Sequence, residues 1–117
     1  MKENLIEVKS YEFAKAIVYT YKRLSADKRE FVLSKQLLHS GTSIGANVTE
    51  AEQAQSRADF ISKMSIAQKE ANETCYWLRL LHETEYLDDM TFHRLFQQAD
   101  ELLRLLTAIC KTAKSSK

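Results

Sequence analysis

Proline is absent from this 117-residue chain, and its only two glycines, Gly41 and Gly45, stand four residues apart inside one stretch that otherwise reads as helix. Strands, hairpins and flexible linkers need such residues at their ends, so a chain without them has little choice but long helices joined by short polar connections. A hydrophobic content of 44% is too high for disorder. No apolar run approaches the ~20 residues that cross a bilayer. These features predict one all-α domain over residues 1–117, with no membrane segment. The first residues mix Lys and Glu without an apolar core, which predicts no signal peptide and a cytoplasmic location.

The glycine-bearing stretch runs from Gln36 to Ala51. On a helical wheel centred on Ile44, the residues Leu33, Leu37, Ser40, Val48 and Ala51 fall within about 40° and form a core stripe. Gly41 and Gly45 lie together on one flank. Inside a helix each costs about 1 kcal/mol relative to alanine, and the physical reason to keep such a pair is the close approach of a second helix. On the other flank Gln36, Ser43, Asn47 and Glu50 form a polar ladder, expected to be partly buried and hydrogen-bonded.

Around this element the remaining chain reads as three more helices. Ser10 is a weak start signal for the first, whose body carries Phe13, Ile17 and Leu24, with Ala14, Val18 and Tyr21 as a second apolar row, and which is predicted to end near Leu24. Ser25–Glu30 is a short connection, and the second helix is predicted over Phe31–Ala54. Ser56 and Asp59 resemble a capping box. From there Phe60, Met64, Ala67, Ala71, Thr74, Leu78 and Leu81 keep steps of four and three, a bundle seam. Glu83–Asp89 is the next turn, with Tyr86 and Leu87 tucked beneath it. Asp88 or Asp89 caps a fourth helix with the core row Phe92, Leu95, Ala99, Leu102, Leu106, Ile109 and Ala113. Four helices with short connections predict an antiparallel up-down-up-down four-helix bundle.

Chemistry is harder to find. A di-iron bundle requires Glu-x-x-His pairs, and Gln36, Arg79 and Met90 stand three residues before the three histidines. Cys75 and Cys110 lack the spacing of a metal or redox site and read as small buried hydrophobes. No nucleophile, metal cluster or phosphate-cradling loop accompanies Ser43, Asn47 and Glu50, so the ladder is expected to be structural, the protein not an enzyme, and no cofactor or metal is expected. Tyr76 and Leu80, with Trp77 alongside, point away from the seam and are the candidate subunit interface. The formal net charge of +1 argues against a dedicated nucleic-acid binder. The basic residues cluster only at the chain ends, where Lys2, Lys9, Lys111, Lys114 and Lys117 are expected to converge into one weak patch.

Residues Thr42–Asn47, Glu50–Ala51, Ser56, Asp59–Phe60, Ile66–Ala71, Glu73–Thr74 and Trp77–Leu81 carry a family resemblance spanning about residues 8–110. The chain resembles the bacterial four-helix bundle proteins first noticed as reading frames within intervening sequences of 23S ribosomal RNA genes. The resemblance implies a bundle that assembles as a homo-oligomeric ring, commonly a pentamer, with no established enzymatic activity and an unknown process. A similar fold serves as the accessory protein of diversity-generating retroelements, where a strongly basic barrel binds nucleic acid and a reverse transcriptase. An assembly or adaptor module is thus the first functional expectation, and a nucleic-acid-associated accessory factor the alternative.

Overall fold

The computed structural model describes residues 4–115 as four α-helices: α1 (Leu5–Asp27), α2 (Leu33–Glu52), α3 (Arg57–Glu83) and α4 (Asp89–Ser115). Each packs antiparallel on the next, and α4 returns to α1, so α1 and α3 occupy one diagonal of the bundle and α2 and α4 the other. The up-down-up-down architecture expected from the sequence is present. The α1–α4 contact is the smallest of the four.

Local chemistry sets the helix ends. Asn4, not Ser10, starts α1: its side chain accepts the Glu7 N–H at 3.4 Å and donates to Glu52 at the far end of α2. Ser10 is buried inside the helix, its hydroxyl turned back to the Glu7 carbonyl. The first helix also runs a turn beyond Leu24, to Asp27, and Arg29 at φ 53° then reverses the chain. Phe31 and Val32 therefore stay outside α2. Its free N–H groups are met by the Glu30 carboxylate, which accepts from Val32, Leu33 and Ser34 at 3.1, 3.0 and 2.7 Å. Burial raises the pKa of this carboxyl, but the three backbone donors outweigh it and hold Glu30 below its ordinary value. The far end of α2 falls at Glu52, two residues short of Ala54.

The cap predicted at Ser56 forms: its hydroxyl accepts the Asp59 N–H at 3.0 Å, while Asp59 accepts the Gln55 N–H at 3.4 Å. Asp88 caps α4 through the Thr91 N–H at 2.7 Å, which lowers its pKa. Glu85 at φ 72° closes the α3–α4 turn and lets Tyr86 and Leu87 bond back to the Leu81 carbonyl. Leu87 is buried beneath the turn and Tyr86 half-buried.

The seam of α3 is buried from Met64 through Leu81, with Phe60 half-buried where the bundle opens. On α4 the buried row is Thr91, Leu95, Ala99, Leu102, Leu106 and Cys110. Phe92, Ile109 and Ala113 are only half-buried, because steps of four at both ends of this row carry the core-facing line past them. At the α2–α3 contact the fully buried Thr74 donates to Ser40 at 3.0 Å and lies 2.7 Å from the Glu70 carbonyl, and Ser40 donates weakly to the Leu37 carbonyl at 3.4 Å. Two buried hydroxyls thus satisfy one another and pin the register of two helices.

Gly41 and Gly45 face α1. A β-carbon on Gly45 would stand 3.3 Å from the Ser10 carbonyl oxygen, and one on Gly41 would stand 2.8 Å from Ile17 Cγ1. The second helix approaches where the two glycines predicted it. Gly45→Leu must therefore push α1 backbone away, and a loss of stability of about 1–3 kcal/mol or more is expected. Thermal melting checks it, since helix propensity alone would raise the midpoint by removing a glycine.

Candidate functional site

The polar ladder of α2 does not assemble into a shared network. Ser43 donates to the His39 carbonyl at 2.6 Å and Asn47 to the Ser43 carbonyl at 2.8 Å, so both half-buried side chains are satisfied by the backbone of their own helix. Gln36 and Glu50 are exposed instead of partly buried, because the flank turns outward at both ends, and Glu50 pairs with Lys63 of α3 at 3.3 Å. Nothing in this row holds a polarised nucleophile next to a base.

The ladder flank of α2 faces a flank of α3 carrying Lys63, Ile66, Glu70, Glu73 and Trp77 at helical spacing. Glu70 is its least comfortable member. One carboxylate oxygen, Oε1, is shielded from water without a hydrogen-bond partner, and the same holds for Trp77 Nε1 two turns further on. Burial, the charge of Glu73 and a hydrogen bond with Glu73 push the pKa of Glu70 up, against weaker opposing effects of His39 and Lys69. The sequence pointed to this neighbourhood only through the Lys69-Glu70-Ala71 pattern; a pattern carries no information on whether a carboxylate is shielded.

Tyr76 is 55% exposed and stands edge-on to Trp77, with ring centroids 5.0 Å apart. Leu80, placed by the wheel on the solvated face, is half-buried, and Ile66 joins the patch as an exposed side chain. This apolar group runs along the outer side of α3 toward α2.

A second apolar face went unnoticed in the sequence. On the side of α1 opposite its core, Val8, Tyr11, Val18 and Tyr19 are exposed, both tyrosines at 64%. Lys15 lies over the Tyr11 ring and Lys22 over the Tyr19 ring, at 5.3 and 5.7 Å, and Lys15 also pairs with Glu12 at 3.0 Å. Of the expected second row Ala14, Val18 and Tyr21, Ala14 and Tyr21 are half-buried, whereas Val18 is exposed. The signal was available in the i, i+4, i+8 recurrence of Tyr11, Lys15 and Tyr19.

Among the described residues, Lys9 lies apart from Lys111 and Lys114. Lys9 is held by Glu101 of α4 at 3.1 Å, and Glu101 lies ten residues before Lys111, about 15 Å along the helix. Lys111 and Lys114 are exposed at the end of α4, while Lys2 and Lys117 fall outside the described residues. At the opposite end of the bundle a 340 Å³ cleft opens between the end of α1 and the α3–α4 turn, lined by Arg23, His82, Tyr86 and Asp88 among others. His82 stacks on Phe92 at 4.1 Å and bonds Asp89 at 2.8 Å. Among the described residues no three His, Cys, Asp or Glu side chains are grouped to hold a metal ion. Cys75, half-buried with its pKa raised by burial, and buried Cys110, 3.8 Å from the Ser65 hydroxyl, are free thiols.

Glu70 supplies a pH test. Its folded-state pKa lies above that of an exposed glutamate, so this carboxyl favours folding when protonated. That contribution is complete below the ordinary glutamate value and is lost as pH rises through the raised one. Glu70→Gln is expected to melt above wild type at neutral pH, with the gap closing near about pH 4. Melting curves across that range check it; a gap independent of pH contradicts the desolvated carboxyl.

Known proteins place the chain among its relatives. No curated protein matches the chain. A crystal structure of a protein of unknown function from the S23 ribosomal protein family, from Bacteroides thetaiotaomicron VPI-5482, is 56% identical, with a TM-score of 0.89 over 91% of this chain and 98% of that one. The model of the family described as 23S rRNA-intervening sequence protein matches residues 2–108, and the chain belongs to that family.

Proposed function

We propose that the protein is a non-enzymatic cytoplasmic module that works by assembling with copies of itself into a closed ring, commonly a pentamer in proteins of this kind, and presenting the ring as an adaptor. The observation that carries this is the outer side of α3, where exposed Tyr76 and Ile66 stand with half-buried Trp77 and Leu80. Single exposed apolar residues are ordinary on a monomer, but an exposed tyrosine edge-on to a tryptophan with a leucine one turn on suits a subunit contact. No helix among the described residues is long and apolar enough to cross a membrane, so a lipid-buried role for the patch has no support. Light scattering on the purified chain is expected to give several times 13.5 kDa. Leu80→Glu is expected to lower that mass while helical circular dichroism is retained. A monomeric wild type refutes the proposal.

Association with nucleic acid is the second reading, favoured by exposed Lys111 and Lys114 at the end of α4, which a ring would repeat in every subunit. Two lysines per subunit release few counterions, each contributing a slope of about −0.7 to −0.9 in log affinity against log salt. Binding of labelled single-stranded RNA is expected only at low salt, fading by about 0.15 M. Lys111→Gln with Lys114→Gln is expected to remove it. A complex that persists at higher salt would make this the leading function.

A further inference from the structure

We infer that the outer face of α1, formed by Val8, Tyr11, Lys15, Val18, Tyr19 and Lys22, is the docking surface for the α2–α3 flank of a second copy of this chain. The inference rests on the assembly proposed above and names the surface that the Tyr76 patch meets.

Three observations lead to it. First, both faces are apolar and unpartnered within one chain, and both carry charge of opposite sign. The α1 face offers Lys22, held over the Tyr19 ring, and Lys15, held over the Tyr11 ring and paired with Glu12, and the α3 face offers Glu70 and Glu73. On the α3 side Lys63 is already paired with Glu50, and Lys69 stands at the rim. An ammonium brought beside Glu70 would relieve the repulsion that Glu73 imposes on it.

Second, α1 pairs poorly with itself. A two-fold antiparallel contact that lays Tyr11 on the Tyr19 of another copy places Lys15 directly against its own symmetry mate, burying like charges. A contact between two different faces avoids this.

Third, the directions of the faces suit a ring. Because α1 and α3 are diagonal, their core-facing directions oppose one another. On each helix the wheel position of the apolar face relative to that direction follows from 100° per residue. The α1 face points almost straight outward. The α3 patch is rotated toward α2, so the two outward normals are not back to back. Identical subunits joined through two such faces curve toward a closed ring, whereas opposed faces would build an open filament.

A single-stranded nucleic acid stacked on Tyr11 and Tyr19 is the competing occupant. It fits less well, because Val8 and Val18 interrupt the basic groups and Lys15 is already paired with Glu12 at 3.0 Å.

The test uses the full chain and complementary defects. Tyr19→Glu and Leu80→Glu each leave the bundle core untouched, and unchanged circular dichroism and melting verify this; Lys15→Glu with Lys22→Glu is a second α1 variant that retains the tyrosines. Each variant alone is expected to run as a monomer by light scattering. An equimolar mixture of Tyr19→Glu and Leu80→Glu is expected to form a species of two chains, since one intact α1 face can meet one intact α3 face. Two results overturn the inference: a mixture that stays monomeric, or a Tyr19→Glu variant that keeps the wild-type mass, which with loss of low-salt binding of a labelled oligouridine would assign the face to nucleic acid. If Leu80→Glu alone lowers the mass, the assembly proposal survives while the α1 docking surface fails; a monomeric wild type ends both.

Discussion

The carbonyl oxygen of Ser10 stands 3.3 Å from where a β-carbon on Gly45 would be, and much of the molecule follows from that distance. With Gly41 open to Ile17 one turn earlier, α1 can sink onto α2 more deeply than any pair of ordinary side chains permits. Dispersion and burial along this line offset the roughly 1 kcal/mol that each glycine costs its own helix. A helix drawn close to one neighbour is carried away from another. The α1–α4 contact is accordingly the smallest in the bundle, and α1 keeps a wide outer face whose tyrosines and valines stay in solvent.

The other side of α2 works differently. There the hydroxyls of Ser40 and Thr74 bond to each other in the core, and Glu50 reaches Lys63 at the surface, so the α2–α3 register is set by polar groups placed among apolar ones. Between those two points lies the shielded Glu70 Oε1, and just beyond Thr74 the shielded Trp77 Nε1, neither with a partner. Groups of this kind cost stability, on the order of 1–3 kcal/mol when fully desolvated.

Much of the fold was legible in the residue pattern because the pattern is nearly pure: heptad-like rows, no proline, and glycines only where a close contact exists. The caps were less so. Ser56 worked as predicted because a serine three residues before an acid has one dominant way to bond. Asn4 and Glu30 did not announce themselves: Asn4 bonds partly to Glu52, 48 residues away, and a glutamate three residues ahead of the helix caps by reaching forward to three amides. The sites were legible only in part. Tyr76 emerged from its angle on the wheel, yet Leu80 at a similar angle is half-buried, and Lys9 is occupied by an acid on a helix that the sequence places far away.

From its sequence alone the chain was committed to four amphipathic helices in antiparallel order, since helical periodicity, short polar connections and the lack of strand or linker residues are local properties. The sequence also marked where two backbones would come close. Tertiary structure decided which side of each helix remained uncovered. Exposure depends on how far α1 leans toward α2 and away from α4, and that lean is a balance of contacts between residues distant along the chain, which no local pattern encodes.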